Sequence, residues 1–195
     1  MTPVFPSAYF PNIAYLKRYF SFDAVAIEVF ETFPKQTLRN RCDITTSMGR
    51  IRLSIPVKKP NGSKTLTKDI CIDTSAPWKK EHWRGIQTAY AAAPYFEEYA
   101  QEVYALIHCE HKYLTDLNGS ILNFIHTVVD IPAHFSNALE YAEKGSHDYR
   151  DQDFGKLENS KEYLQVFTEA HGFVPNLSIL DLLFNEGPFM RNWIL

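Results

Sequence analysis

The chain is predicted to fold as a single α/β domain over residues 1–195, with an N-terminal mixed, partly parallel sheet and a helical C-terminal half. An α+β arrangement of the same elements is also compatible with the pattern. Three observations carry the prediction. The chain opens with a strand, helix, strand pattern; the hydrophobic period changes from two to about 3.6 near Pro77; and no linker-like stretch divides the 195 residues. A strand, helix, strand unit commonly forms a right-handed crossover between parallel strands, and in open α/β sheets ligands gather beyond the C-terminal ends of those strands.

Residues 4–8 form a short apolar run broken by Pro6. Pro11 and Asn12 then open a helix carrying Ile13, Leu16, Tyr19 and Phe20. Residues 24–30 place Val25, Ile27 and Val29 on one face and small or aromatic side chains on the other, the pattern of a strand buried on both sides. Residues 41–44 read as a return strand. After a turn at Ser47-Met48-Gly49, residues 50–57 alternate Ile51, Leu53, Ile55 and Val57 with Arg50, Arg52, Ser54 and Pro56, a strand with one polar face. The Lys, Pro, Asn, Gly and Ser content of residues 58–68 predicts an exposed, mobile loop, read as a plain surface hairpin connection in preference to a lid over a neighbouring basic site, and residues 69–73 form a short strand.

Helical spacing then dominates. Trp83, Ile86 and Tyr90 define one helix between Pro77 and Pro94; Phe96, Tyr99, Val103, Leu106 and Ile107 a second; Leu117, Ile121, Phe124, Ile125 and Val128 a third that ends before Pro132. Residues 140–158 are polar and irregular. Asn159 with Glu162 makes a capping box for a helix carrying Tyr163, Val166, Phe167 and Ala170, stopped by Gly172. A last short helix runs from Ser178 through Leu180, Leu182, Leu183 and Phe184 to Gly187-Pro188, with Ser178 and Asp181 in capping-box spacing.

Hydrophobic residues make up 45%, charged residues 22% and aromatic residues 14% of the chain, the balance of a globular domain with a well-filled core or aromatic pocket walls. A net charge of −3 argues against a general nucleic-acid footprint. No run reaches the roughly 18 apolar residues of a membrane span, and no secretory signal pattern is present, so a cytoplasmic location is expected. Cys42, Cys71 and Cys109 are widely spaced and predict free thiols.

The densest chemistry lies in residues 35–44, where Lys35, Arg39 and Arg41 fall within seven residues together with Gln36, Thr37 and Asn40. Such a segment can offer an anion several charge-assisted hydrogen bonds, or stand as a solvated basic turn paired with Glu28, Glu31 or Asp43. His82, at the edge of an apolar helical stripe, reads as a general acid or base, or as a half-buried histidine bonded to backbone. Cys42 beside Arg41 reads as a nucleophile with His82 as its base, although packing is the commoner role of a cysteine in a strand. His147, Asp148, Asp151 and Asp153 match no metal-loop spacing, and no metal ligand set or cofactor is assigned. Asn176, Asn185 and Glu186, at the two ends of the last helix, read as pocket residues or as turn and cap residues.

Tyr9-Phe10-Pro11, Lys35 with Asn40-Arg41, Ile55-Pro56-Val57, Trp78 with His82, Ala89-Tyr90 with Pro94-Tyr95-Phe96, Leu117-Asn118 and the run 176–185 together resemble the WbqC-like family, bacterial proteins often encoded among genes for surface-polysaccharide synthesis. The likeness spans nearly the whole chain. Family members often carry an acidic pair after the second strand, where this chain has Glu28-Val29-Phe30-Glu31. The resemblance implies a transferase acting on a nucleotide-activated sugar, moving an acyl or aminoacyl group to an amino sugar, or a non-catalytic module binding a sugar nucleotide or a partner of the same pathway. It also implies proton transfer by His82 and substrate contacts from Tyr9, Lys35, Asn40, Arg41, Trp78 and Tyr90.

Overall fold

The computed structural model describes residues 2–143, 145, 147–155 and 161–195. The first strand, β1 (Val4–Pro6), leads into α1 (Ile13–Tyr19) and returns as β2 (Val25–Glu28), paired parallel to β1 with Phe5 opposite Ile27. Asn12 caps α1, its side chain accepting from the Tyr15 backbone N–H at 3.0 Å. The antiparallel hairpin of β3 (Arg41–Thr46) and β4 (Gly49–Ser54) follows, then the short pair β5 (Val57–Lys58) and β6 (Cys71–Ile72). Three long helices come next, α2 (Trp78–Tyr90), α3 (Phe96–His108) and α4 (Leu114–Val129). The strand β7 (Phe135–Asn137) and three short helices, α5 (Thr168–His171), α6 (Ile179–Glu186) and α7 (Arg191–Ile194), complete the chain.

The parallel and antiparallel parts are separate ladders. One sheet has the order β1-β2-β7, all parallel, and the two hairpin pairs stand apart from it. One core joins them, since α2 packs on the inner face of the β3–β4 hairpin: a Cβ on Gly85 would lie 3.4 Å from a Leu53 methyl. That approach turns His82 and Ile86 inward. Helix α6 is buried on all sides, with Leu180, Leu182, Leu183 and Phe184 each at most 1% exposed, and the Phe184 ring sits 5.2 Å from those of both Tyr90 and Phe96. Each such side chain contributes about 1.5–3 kcal/mol by leaving water, which outweighs the modest propensity of an eight-residue helix. None of the described helices is long and apolar enough to cross a membrane.

Three expectations are corrected. The connection at 58–68 is pinned rather than loose: Phe33 N–H donates to Thr65 O, Thr67 N–H to Glu31 O and Lys68 N–H to Val29 O, so the loop runs antiparallel beside residues 29–33. A helix over 159–171 is reduced to α5, because Tyr163 and Gln165 turn inward to bond Asp181; its Asn159 cap lies outside the described residues. The capping box at Ser178 is half formed. The Ser178 hydroxyl accepts from the Leu180 N–H, whereas the Asp181 carboxylate faces the core, where it accepts from Tyr163 Oη at 2.6 Å and Gln165 Nε2 at 2.8 Å.

Gly187 closes α6 with φ +54°, and a Cβ there would collide with the Tyr95 ring. Gly187→Ala combines left-handed backbone strain with overpacking and is expected to cost about 2–4 kcal/mol, read as a lowered urea midpoint with the slope unchanged. A midpoint within error of the wild type would show that Tyr95 moves aside freely.

Candidate functional site

A cavity of about 430 Å³ opens beyond the C-terminal end of β1, in the size range of small-molecule pockets. Its walls come from four places. Pro6, Phe10 and Asn12 lead into α1; the segment 34–43 leaves β2 and enters β3; Arg50 and Arg52 lie on β4; and residues 150–155 meet Asn176 and Ser178 ahead of α6. Among the described residues, four non-glycine positions adopt left-handed backbone, and three of them, Phe10 (φ 37°), Gln36 (φ 61°) and Asn176 (φ 57°), line this cavity. Conformations that cost about 1–3 kcal/mol collect at sites where the chain is held for a purpose other than stability.

The cavity holds five arginines, and their partners differ. Arg39 is buried and bidentate with Glu31, at 2.6 and 2.9 Å. Arg150 is equally buried, donating to Glu28 at 2.9 Å and to both carboxylate oxygens of Asp148. The Asp148 contact holds the Arg150 pKa above its ordinary value, and burial pushes the Glu31 pKa up, an effect that Arg39 partly offsets. Glu28, the last residue of β2, and Glu31, three positions on, therefore anchor two cavity arginines. Arg52 is bidentate with Asp43, directly across the hairpin, and Arg50 approaches the same carboxylate at 3.8 Å.

Arg41 is different. Among the described residues it makes no ion pair and no side-chain hydrogen bond, and its buried Nε has no partner. A buried guanidinium N–H left unpaired is costly, and such atoms are uncommon in folded proteins.

Family comparison agrees with the likeness read from the motifs: the WbqC-like protein family is matched over residues 7–167. The chain belongs to the WbqC-like family. A relative, "Uncharacterized protein Rv1507c" of Mycobacterium tuberculosis (strain ATCC 25618 / H37Rv), is 28% identical over 211 residues, covering 92% of this chain and 88% of that protein. No solved structure matches.

The structure distributes the motif residues of this WbqC-like chain unevenly. Arg41 lines the cavity. Lys35 is exposed on the same segment but outside the wall, and Asn40 turns away to donate to Ile55 O at 2.8 Å. Tyr9, Trp78 and Tyr90 are core residues, at most 2% exposed, and Asn185 donates to Asp181 O inside α6. His82 is 4% exposed and has both ring nitrogens engaged: Nε2–H donates to Ser54 O at 3.2 Å, because a carbonyl can only accept, and Nδ1 accepts from Tyr9 Oη at 2.9 Å. Burial lowers its pKa to about 4, so the ring is neutral at pH 7. His82 is not among the residues lining the cavity of the basic segment. Cys42 does reach the cavity floor, yet burial raises its pKa well above the ordinary value, which opposes thiolate formation.

Arg50 and Arg52 were visible as the polar face of a strand and could have been placed beside Arg41 by hairpin register alone. Asn176 was marked in the sequence as a pocket or turn residue and Asp151 and Asp153 as part of a polar acidic loop, but nothing local places them, or Phe154, beside Arg41. They reach the site through long-range bonds, with Asn12 and Asn176 both donating to Phe154 O, at 2.8 and 2.7 Å.

Proposed function

We propose that this chain binds a nucleotide-activated sugar in the Arg41 cavity, with the diphosphate against the β3–β4 hairpin, in the service of surface-polysaccharide synthesis. The observation that carries this reading is the unpaired Arg41 guanidinium in the cavity wall. Hairpin register supports the charge of the ligand. Arg41 and Asp43 alternate onto one face of β3, opposite Ser54 and Arg52, and Arg50 follows on the same face of β4, so this face carries three guanidiniums and one carboxylate, which only Arg50 and Arg52 engage. A surplus of two positive charges matches a diphosphate better than a single carboxylate, and arginine forks suit phosphate oxygens. Phe10, Phe154, Pro34 and Leu38 add apolar wall for a base or sugar ring.

Melting temperatures measured with a panel of nucleotide sugars test the reading. A ligand at about one hundred times its Kd adds about 3 kcal/mol, or about 5–10 °C at this chain length. Arg41→Gln is expected to abolish the rise. No response to any member, or an equal rise in the variant, would overturn the proposal.

Group transfer is the second reading, favoured by Asp153. Asp153 lines the cavity, its carboxylate held by the Gly155 N–H at 2.8 Å, and in this reading it takes the proton-handling role. This reading expects Asp153→Asn to retain binding and lose turnover.

A further inference from the structure

Charge is distributed very unevenly along the chain. Residues 1–68 hold eleven Lys and Arg against four Asp and Glu, whereas residues 69–195 hold nine against nineteen. The first part therefore carries +7 and the remainder −10, a contrast hidden by the net charge of −3. Three of the four acids in the first part are already paired: Glu28 with Arg150, Glu31 with Arg39 and Asp43 with Arg52.

The uncompensated charge is concentrated where the 58–68 loop runs beside residues 29–33. Lys68 Nζ sits 4.0 Å from the centre of the Phe30 ring and Lys59 Nζ 4.8 Å from that of Phe33. Lys64 is exposed immediately before Thr65, the residue bonded to Phe33, and the antiparallel run carries the chain past Phe33 to Lys35, also exposed, at the Lys64 end. Among the described residues, none of these four lysines has an ion-pair partner. The same segment then continues into the cavity wall at Pro34, Gln36 and Thr37.

We infer that this lysine surface, formed by Lys35, Lys59, Lys64 and Lys68, docks the protein on an anionic phospholipid membrane, with the mouth of the Arg41 cavity turned toward it. Four clustered lysines fall in the range that adsorbs a protein to anionic lipid, each adding about fivefold in affinity. No large hydrophobic side chain in segments 29–37 or 58–69 is strongly exposed, and protein interfaces are depleted in lysine and built on aromatic anchors, so the composition suits a fluid charged surface better than a protein partner. Strand-tracking nucleic-acid sites expose aromatic rings for stacking, whereas Phe30 and Phe33 lie beneath lysines.

Co-sedimentation of the full chain with vesicles tests the inference. The protein is expected to pellet with vesicles rich in phosphatidylglycerol, to stay in solution with pure phosphatidylcholine, and to be released by salt. Lys35→Glu with Lys64→Glu replaces two exposed side chains and is expected to lower the partition coefficient at least about twenty-five-fold, with an unchanged melting temperature. Lys80→Glu with Arg84→Glu on α2 changes the net charge equally and is expected to leave most of the binding in place. The inference is overturned by absence of vesicle binding, by equal losses in the two variants, or by preferential capture on a single-stranded oligonucleotide. The nucleotide-sugar response of Arg41 is measured separately and stands or falls on its own.

Discussion

Arg150→Ala is expected to destabilise the protein by about 3–5 kcal/mol, the range for removing one partner of a buried ion pair. The Arg150 side chain is 2% exposed and its partner Glu28 is fully buried. Deletion leaves the Glu28 carboxylate in the core with two backbone donors, Phe30 N–H at 2.7 Å and Ala142 N–H at 3.0 Å, and, among the described residues, no ion-pair partner. It also removes the Arg150 contacts to Asp148 and the guanidinium stacked 4.5 Å over the Tyr141 ring. At this chain length the loss corresponds to a fall of about 6–20 °C in Tm. The double variant Arg150→Met with Glu28→Gln is expected to lose less than Arg150→Ala alone, because no buried charge is stranded, and the difference measures the penalty of the orphaned carboxylate. Arg150 also fixes the loop 150–155, and its own carbonyl accepts from Arg39 at 3.2 Å, so ligand affinity at the cavity is expected to fall with stability. A loss below about 1 kcal/mol in urea titration would show that water reaches Glu28 and that the pair is not a structural anchor.

This pair also shows where reading the sequence stops. Local signals were legible: the Asn12 cap, the β1-α1-β2 unit, the alternation of β4 and the helical spacing of α2 to α4 each depend on residues a few positions apart. Arg150 and Glu28 are 122 positions apart, and nothing in either neighbourhood names the other. Strand β7 was missed for a related reason, being three residues without alternation whose strand character comes from pairing with β2. At the site, Arg41 stood out because it lies in a dense basic run, and the family likeness carried by Lys35 and Asn40-Arg41 set it apart from Arg39, whose charge is spent on Glu31. Tyr9, His82 and Tyr90 were drawn toward chemistry mainly by their places in the family motifs, although polar aromatic residues serve buried networks as well as catalysis. Helical spacing places His82 at the edge of a stripe, and only the approach of α2 to Leu53 decides that this edge faces inward.

His82 and Asp181 are expected to oppose each other in the pH dependence of stability, and replacing either should expose the other. Burial lowers the His82 pKa from 6.5 to about 4, so the unfolded chain takes up the proton first as pH falls. Stability from His82 is complete above about pH 6.5 and is lost toward pH 4, by about 3 kcal/mol in total. Burial raises the Asp181 pKa from 3.8 to about 6, an effect only partly offset by Tyr163 and Gln165; the Tyr90 hydroxyl adjoins this carboxylate without closing a well-directed hydrogen bond. Here the folded chain takes up the proton first, so the contribution is complete below about pH 4 and is lost as pH rises through 6, again about 3 kcal/mol. The two windows overlap and the signs are opposite, so together they leave a shallow profile. His126, lowered by burial, adds to the loss in acid, while Glu31 and Glu186, raised by burial, add to the gain. Relative to the wild type, His82→Gln is expected to become progressively more stable from pH 6.5 to 4, and Asp181→Asn progressively less stable over the same interval. Urea midpoints across that range decide the matter. Profiles running parallel to the wild type in both variants would mean that neither group is neutralised by its burial, and that the core around α2 and α6 admits more water than its packing indicates.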